Sequence, residues 1–159
     1  MSAVLGIDPG ASGGIAYING DDVVDVLSFA KCIDSDVSAF LAHYSDARAW
    51  IEKVGATPQM GCVSAFKFGM SFGMLRGMLI AHAIPFQMVA PTVWQRDLGL
   101  IEKGRRSRAA GNPTGSTDSA KKRRNRQRAS ELFPGIRVTN AVADALLIAH
   151  HARRCSQKL

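Results

Sequence analysis

The sequence of 159 residues is poor in the residues that build several common kinds of site. Its three cysteines, Cys32, Cys62 and Cys155, lie far apart and form no CxxC pair. Structural zinc sites and disulfide frameworks depend on such paired spacing, so the sequence argues against both. The four histidines show no ligand spacing either. Unpaired thiols are typical of a reducing compartment, and we expect a cytosolic protein.

No uninterrupted apolar run is long enough to cross a membrane. The most apolar stretch covers residues 68–90, but it contains Arg76 near its centre and Pro85 towards its end. Inserting such an arginine at the middle of a bilayer costs about 2.5–3.5 kcal/mol. The N-terminus leads directly into an apolar strand without a preceding basic region, so we expect no signal peptide.

Acidic residues are outnumbered, with 13 Asp and Glu against 20 Lys and Arg, a net charge of +7. Residues 101–128 hold ten of the basic and two of the acidic residues, a net charge of +8, which leaves −1 for the rest. A localised excess of this kind indicates a polyanion such as nucleic acid as the partner. The side chains that we expect to contact phosphates are Lys103, Arg105, Arg106, Arg108, Lys121, Lys122, Arg123 and Arg124.

Hydrophobic periodicity predicts a single α/β domain over residues 1–159, with a basic mobile loop at about residues 101–118. The predicted strands cover residues 3–7, 13–18, 23–29, 47–51 and 85–89. The predicted helices cover residues 36–44, 64–83, 92–98, 119–132 and 141–155. Three strands joined by tight turns, followed by alternating helices and strands, indicate a mixed five-stranded sheet with helices on both faces.

Three carboxylates occupy positions from which a regular element would aim them into a crevice. Asp8 follows the first strand, Glu52 ends the fourth, and Asp144 is a lone acid at the apolar start of the last helix. Each has an ordinary alternative: Asp8 suits a turn, and the helix dipole favours an acid at the position of Asp144. Together they can converge on a divalent cation, because hard cations prefer carboxylate oxygens.

These acids lie in segments that resemble RuvC-type Holliday junction resolvases. The matching segments are GIDPG at residues 6–10, WIEKV at 50–54, FKFG at 66–69, VAPTVW at 89–94 and ADALLIA at 143–149. The third and fourth of them resemble the phage-encoded branch of the family. The segments follow one another in the family's order and span nearly the whole chain.

The resemblance implies an RNase H-like fold and a homodimer that resolves four-way junctions and other branched DNA. It implies two Mg²⁺ or Mn²⁺ ions per active site, held by Asp8, Glu52, Asp144 and a fourth residue that corresponds here to Asn140. Two such ions catalyse phosphodiester hydrolysis when they lie about 3.5–4 Å apart. It implies no membrane and no small-molecule cofactor, and a location in the cytosol of a bacterium or a phage-infected host. Related nucleases for flaps, forks or RNA–DNA hybrids are alternatives that the acids do not separate.

Asn140 departs from the family pattern, which usually has an aspartate three or four residues before the last acid. An amide keeps an oxygen ligand but loses the negative charge, so metal affinity should fall. One interpretation is a natural variant of low activity. The other is an engineered form, in which Asn140 replaces an original aspartate so that the protein binds DNA without cutting it. We favour the second, because the residues around Asn140 keep the pattern.

The helix predicted at residues 64–83 carries Gly69, Gly73 and Gly77 on one face. Each glycine inside a helix costs about 1 kcal/mol relative to alanine, so a close backbone neighbour is expected. That neighbour is either the sheet of the same chain or a second copy in a homodimer, and the resemblance favours the homodimer. Phe66 and Phe68 are candidates to stack on unpaired bases at the branch point, with core packing as the alternative.

Overall fold

A computed structural model describes residues 3–20, 22–101 and 118–157. Its five strands are β1 (Val4–Asp8), β2 (Gly14–Asn19), β3 (Asp22–Ser28), β4 (Arg48–Glu52) and β5 (Phe86–Val89). Its α-helices are α1 (Asp34–His43), α2 (Cys62–Ala81), α3 (Pro91–Asp97), α4 (Asp118–Leu132) and α5 (Asn140–Ser156). The strands form one sheet in the order β3-β2-β1-β4-β5. β1, β2 and β3 pair antiparallel, whereas β4 runs parallel to β1 and β5 parallel to β4.

The predicted mixed sheet is confirmed, and the predicted elements differ from the observed ones by at most two residues at either end. Helix α1 begins at Asp34 rather than at Asp36, because the Asp36 carboxylate accepts a hydrogen bond from the Ile33 N–H at 2.9 Å. Such a contact satisfies one of the free donors at a helix start. Helix α2 ends at Ala81, two residues early, because Ala83 adopts the left-handed conformation with φ of 54°.

The sheet separates two hydrophobic cores, because successive side chains of a strand point to opposite faces. On one face, Leu5 and Ile7 of β1 pack with side chains of α1 and α2. On the other face, Val4 joins the buried side of α5, together with Ala129 of α4. Helices therefore cover both faces of the sheet, as predicted.

Strand β1 and helix α5 meet backbone to backbone at Gly6. A β-carbon on Gly6 would collide with the main chain of Ala145 and of Ala149, so only glycine allows this approach. The crossing brings the C-terminal end of β1 to the first turns of α5. It therefore determines which side chains meet at that end of the sheet.

The basic loop predicted at about residues 101–118, with Lys103, Arg105, Arg106 and Arg108, lies outside the described residues apart from its two ends. In the part of the chain that is described, no helix is both long enough and apolar enough to cross a membrane.

Candidate active site

The three predicted acids are positioned by neighbouring elements at one end of the sheet. Asp8 is the last residue of β1 and Glu52 the last residue of β4. The two strands are parallel, with Ile7 paired to Ile51, so both carboxylates leave the sheet at the same end. Asp144 lies in the first turns of α5, the helix that crosses β1 at this end. The fold thus places all three acids within electrostatic reach of one another.

A cavity of about 400 Å³ opens beside Asp8, and its wall contains Asn140 and Asp144. Asn140 is the first residue of α5 and is exposed. Lys122 of α4 brings a positive charge into the same wall, whereas Glu52 lies outside it. The cavity therefore holds carboxylates that can bind a metal ion and a lysine that can bind a phosphate.

Each of the three carboxylates accepts a hydrogen bond from its own chain. The pairs are Asp8 Oδ1 with the Gly10 N–H (3.1 Å), Glu52 Oε1 with the Trp94 indole N–H (3.0 Å) and Asp144 Oδ1 with the Asn125 amide (2.9 Å). Gly13 leaves room for the Asp8 carboxylate, because a β-carbon at position 13 would lie 2.8 Å from Asp8 Cγ. These contacts orient the three carboxylates.

Burial of the site disfavours the charged form of its three carboxylates. Burial raises the pKa of Asp8 from 3.8 to about 6 and the pKa of Glu52 from 4.5 to about 7. Burial also raises the pKa of Asp144. Repulsion between the carboxylates adds to this effect at Asp8 and Glu52, whereas the charge of Lys121 lowers all three pKa values. Partly buried carboxylates with raised pKa values favour a bound cation.

The donor set has the chemistry that a hard divalent cation requires. Carboxylate and amide oxygens are the ligands that Mg²⁺ and Mn²⁺ prefer. Across residues 3–20, 22–101 and 118–157, however, no three His, Cys, Asp or Glu side chains are already grouped closely enough to hold one ion. Each of the three carboxylates keeps one oxygen on a donor of its own chain.

We expect the metal-free protein to lose stability as the pH rises from about 4 to about 7. Over this window the folded protein binds more protons than the unfolded chain, because the folded pKa values of Asp8 and Glu52 lie above the ordinary ones. The measurement is the melting temperature in EDTA at about pH 5 and about pH 8. A double variant, Asp8→Asn with Glu52→Gln, should show a smaller decrease.

The double variant is the necessary control for this pH prediction, because His150 acts in the opposite direction. Burial lowers the pKa of His150 to about 4, so its contribution to stability rises as the pH rises from 4 to its ordinary value of 6.5. An equal pH dependence in the protein and the double variant would contradict the prediction.

Helix α4 carries the described part of the predicted phosphate-binding surface. Lys121, Lys122, Arg123 and Arg124 are all exposed in its first turns. Asn125 follows them and was not identified from the sequence, although it is 1% exposed and contacts Asp144. The available signal was its spacing of four and eight residues from the buried Ala129 and Phe133. A polar residue in such an apolar stripe needs a partner.

The glycine face of α2 does not pack on the sheet of its own chain. A β-carbon at Gly69, Gly73 or Gly77 would find nothing within 4 Å in the described structure. Phe66, on the same helix, is 70% exposed, whereas Phe68 is half-buried. This result removes the alternative in which the glycines accommodate the sheet.

Comparison with solved structures identifies the fold of the chain. No protein-family model matches the chain, and no curated protein sequence matches it. A structure of T. thermophilus RuvC in complex with Holliday junction substrate superposes with a TM-score of 0.68 at 16% identity, covering 99% of this chain and 96% of RuvC. Another structure of Thermus thermophilus RuvC gives a TM-score of 0.64 at 15% identity, covering 98% and 96%. Over nearly its whole length, the chain therefore has the RNase H-like fold of RuvC.

Proposed function

We propose that this protein is a metal-dependent endonuclease that resolves four-way DNA junctions. The observation that carries the proposal is the convergence of Asp8, Glu52 and Asp144 at one end of the sheet, beside the cation of Lys122. The shared fold with RuvC supports it, since a RuvC structure contains a Holliday junction substrate. The basic surface of α4 supports a DNA partner, because four exposed cations occupy consecutive positions there.

Phosphodiester hydrolysis requires a positioned water and neutralisation of charge on the phosphate, which two Mg²⁺ or Mn²⁺ ions supply when they are bound. Asp8, Glu52 and Asp144 would hold them through carboxylate oxygens, and Asn140 through its amide oxygen. Lys122 shares the cavity with Asp8 and Asp144, so it is placed to contact a phosphate oxygen. Lys121, Arg123 and Arg124 extend this positive surface along α4. These side chains contact the phosphate backbone of the DNA and do not recognise its base sequence.

A homodimer follows from the symmetry of the substrate, because a four-way junction offers two equivalent strands to cut. At 100° per residue, the glycines of α2 and its most exposed apolar side chains fall within about 120° of the helix circumference. These residues are Val63, Phe66, Gly69, Met70, Gly73, Gly77 and Ile80. We propose this surface, the α2 glycine face, as the contact between the two copies. A patch that is apolar, exposed and free of bulky side chains at its centre suits close helix packing.

The test of the proposed function is cleavage of a synthetic four-way junction with Mg²⁺ by the protein and by Asn140→Asp. We expect paired, symmetric cuts in opposing strands, and faster cleavage by Asn140→Asp by about tenfold or more at limiting Mg²⁺. The added carboxylate restores a charge at the wall of the cavity, next to Asp8 and Asp144. Flaps, forks and RNA–DNA hybrids, tested in parallel, separate junction resolution from other nuclease activities.

Random nicks, or no cleavage by either form, would contradict the resolvase proposal. Equal rates for the two forms would remove Asn140 from the cation site. A second candidate function is binding of branched DNA without cleavage, which Asn140 favours because it replaces a charged ligand by a neutral one. Mg²⁺-dependent cutting by the unaltered protein would exclude this candidate.

A further inference from the structure

Helix α4 turns one face towards the candidate active site, and that face combines cations with a buried amide. Lys122 and Asn125 are three residues apart, and Ala129 follows after four more, so all three lie on one side of the helix. Lys122 lines the cavity beside Asp8, and Ala129 is fully buried in the core that α5 shares. Asn125 lies between them, at the boundary between the cavity and the core.

Asn125 makes a contact that packing alone does not account for. Its Nδ2 donates to Asp144 Oδ1 at 2.9 Å, and only 1% of the residue is exposed. The ionised carboxylate of Asp144 can only accept hydrogen bonds, so the amide turns its nitrogen to Asp144. Its Oδ1 is then buried without a hydrogen-bond partner in the described structure.

An unpaired buried oxygen reduces stability, and an apolar side chain of similar size would avoid it. If position 125 served only to hold α4 against α5, a leucine would serve better among Ala129 and the other apolar residues of this core. What the asparagine adds is its hydrogen bond to Asp144. Groups that bond to metal-ligating carboxylates in this way orient them for the ion.

We propose that Asn125 is a positioning residue that holds the Asp144 carboxylate in place for the divalent cation. The inference rests on the proposed function, in which Asp144 is a ligand. It also gives α4 a part in both the phosphate-binding surface and the cation site, because the helix that presents Lys121 and Lys122 to phosphates also orients the Asp144 carboxylate. Docking of DNA on α4 and assembly of the cation site are then connected through Asn125.

The test measures Mn²⁺ binding to the full-length protein without DNA, by the electron paramagnetic resonance signal of free Mn²⁺. Asn125→Ala and Asn125→Leu should each weaken Mn²⁺ binding by about tenfold or more. Gln127→Ala is the matched control, since Gln127 is an exposed amide of α4 that donates to Glu131 at 3.1 Å. It should leave Mn²⁺ binding unchanged, and Asp144→Asn gives the value for a lost ligand.

Two further measurements separate positioning from a structural role. Junction affinity in EDTA should change by less than about twofold in Asn125→Leu, because the phosphate-contacting side chains remain. The melting temperature in EDTA reports folding, and Asn125→Leu should melt no lower than the unaltered protein. A folded Asn125→Leu with unchanged Mn²⁺ affinity would overturn the inference, as would unfolding of both variants. Failure of the unaltered protein to bind Mn²⁺ would instead overturn the proposed function itself.

Discussion

Replacing Asp8 with asparagine is expected to reduce Mg²⁺-dependent junction cleavage by at least about 100-fold while junction binding is retained. The change removes one charge from the carboxylate cluster but keeps the shape of the side chain and an oxygen that can accept from the Gly10 N–H. The cation site therefore loses a negative ligand without losing the turn that supports it. The measurement is the single-turnover cleavage rate, together with junction affinity in EDTA.

A control for this loss is Asp46→Asn, which removes the same charge from an exposed position. Asp46 precedes β4, so it lies towards the opposite end of that strand from Glu52. Asp46→Asn should cleave at the rate of the unaltered protein. Cleavage by Asp8→Asn within about threefold of that rate would remove Asp8 from the catalytic site.

Replacing Gly73 with glutamate is expected to convert the proposed homodimer into a monomer. A β-carbon at this position points into open space in the single chain, so the monomer accommodates the side chain without strain. In the proposed dimer the same position lies at the centre of the α2 glycine face, where an unpaired carboxylate would be buried against the partner. We expect the dimer dissociation constant to rise by at least about 100-fold, measured by analytical ultracentrifugation.

The product of cleavage gives a second measurement on Gly73→Glu. A monomer cuts one strand at a time, so junctions should be nicked singly rather than resolved by paired cuts. Gly135→Glu is the matched control, because Gly135 is also an exposed glycine with open space at its β-carbon but lies outside α2. A dimer that survives in Gly73→Glu would place the contact on another surface.

Much of the fold could be predicted because its elements have clear periodicity and clear ends. The strand pattern at residues 3–7 and 47–51, each followed by an acid, was enough to predict that Asp8 and Glu52 leave the sheet in similar places. Their pairing as direct neighbours required the register of β1 against β4, which depends on contacts between distant residues. Sequence periodicity carries no information on such contacts.

Asn125 was not identified from the sequence, because the segment around it is dominated by charge. Lys121, Lys122, Arg123 and Arg124 precede it, and Arg126 follows, so the helix is recognised by its basic residues. The hydrogen-bond partner of Asn125, Asp144, is 19 residues away on another helix. The surroundings of Gly73 could not be predicted from the sequence either, since sequence spacing shows which residues share a face but not what that face contacts.

The resemblance to the phage-encoded branch of the family stays a prediction.

The contact at Gly6 sets the spacing of the candidate site through main-chain atoms. Main-chain atoms of β1 meet those of α5 there, so the distance between the elements that carry Asp8 and Asp144 is fixed by backbone thickness. A larger residue at Gly6 would therefore change the separation of these two carboxylates directly, through the main chain. Tolerance to substitution should therefore be lowest at Gly6 itself, where any larger residue would lift the helix from the strand.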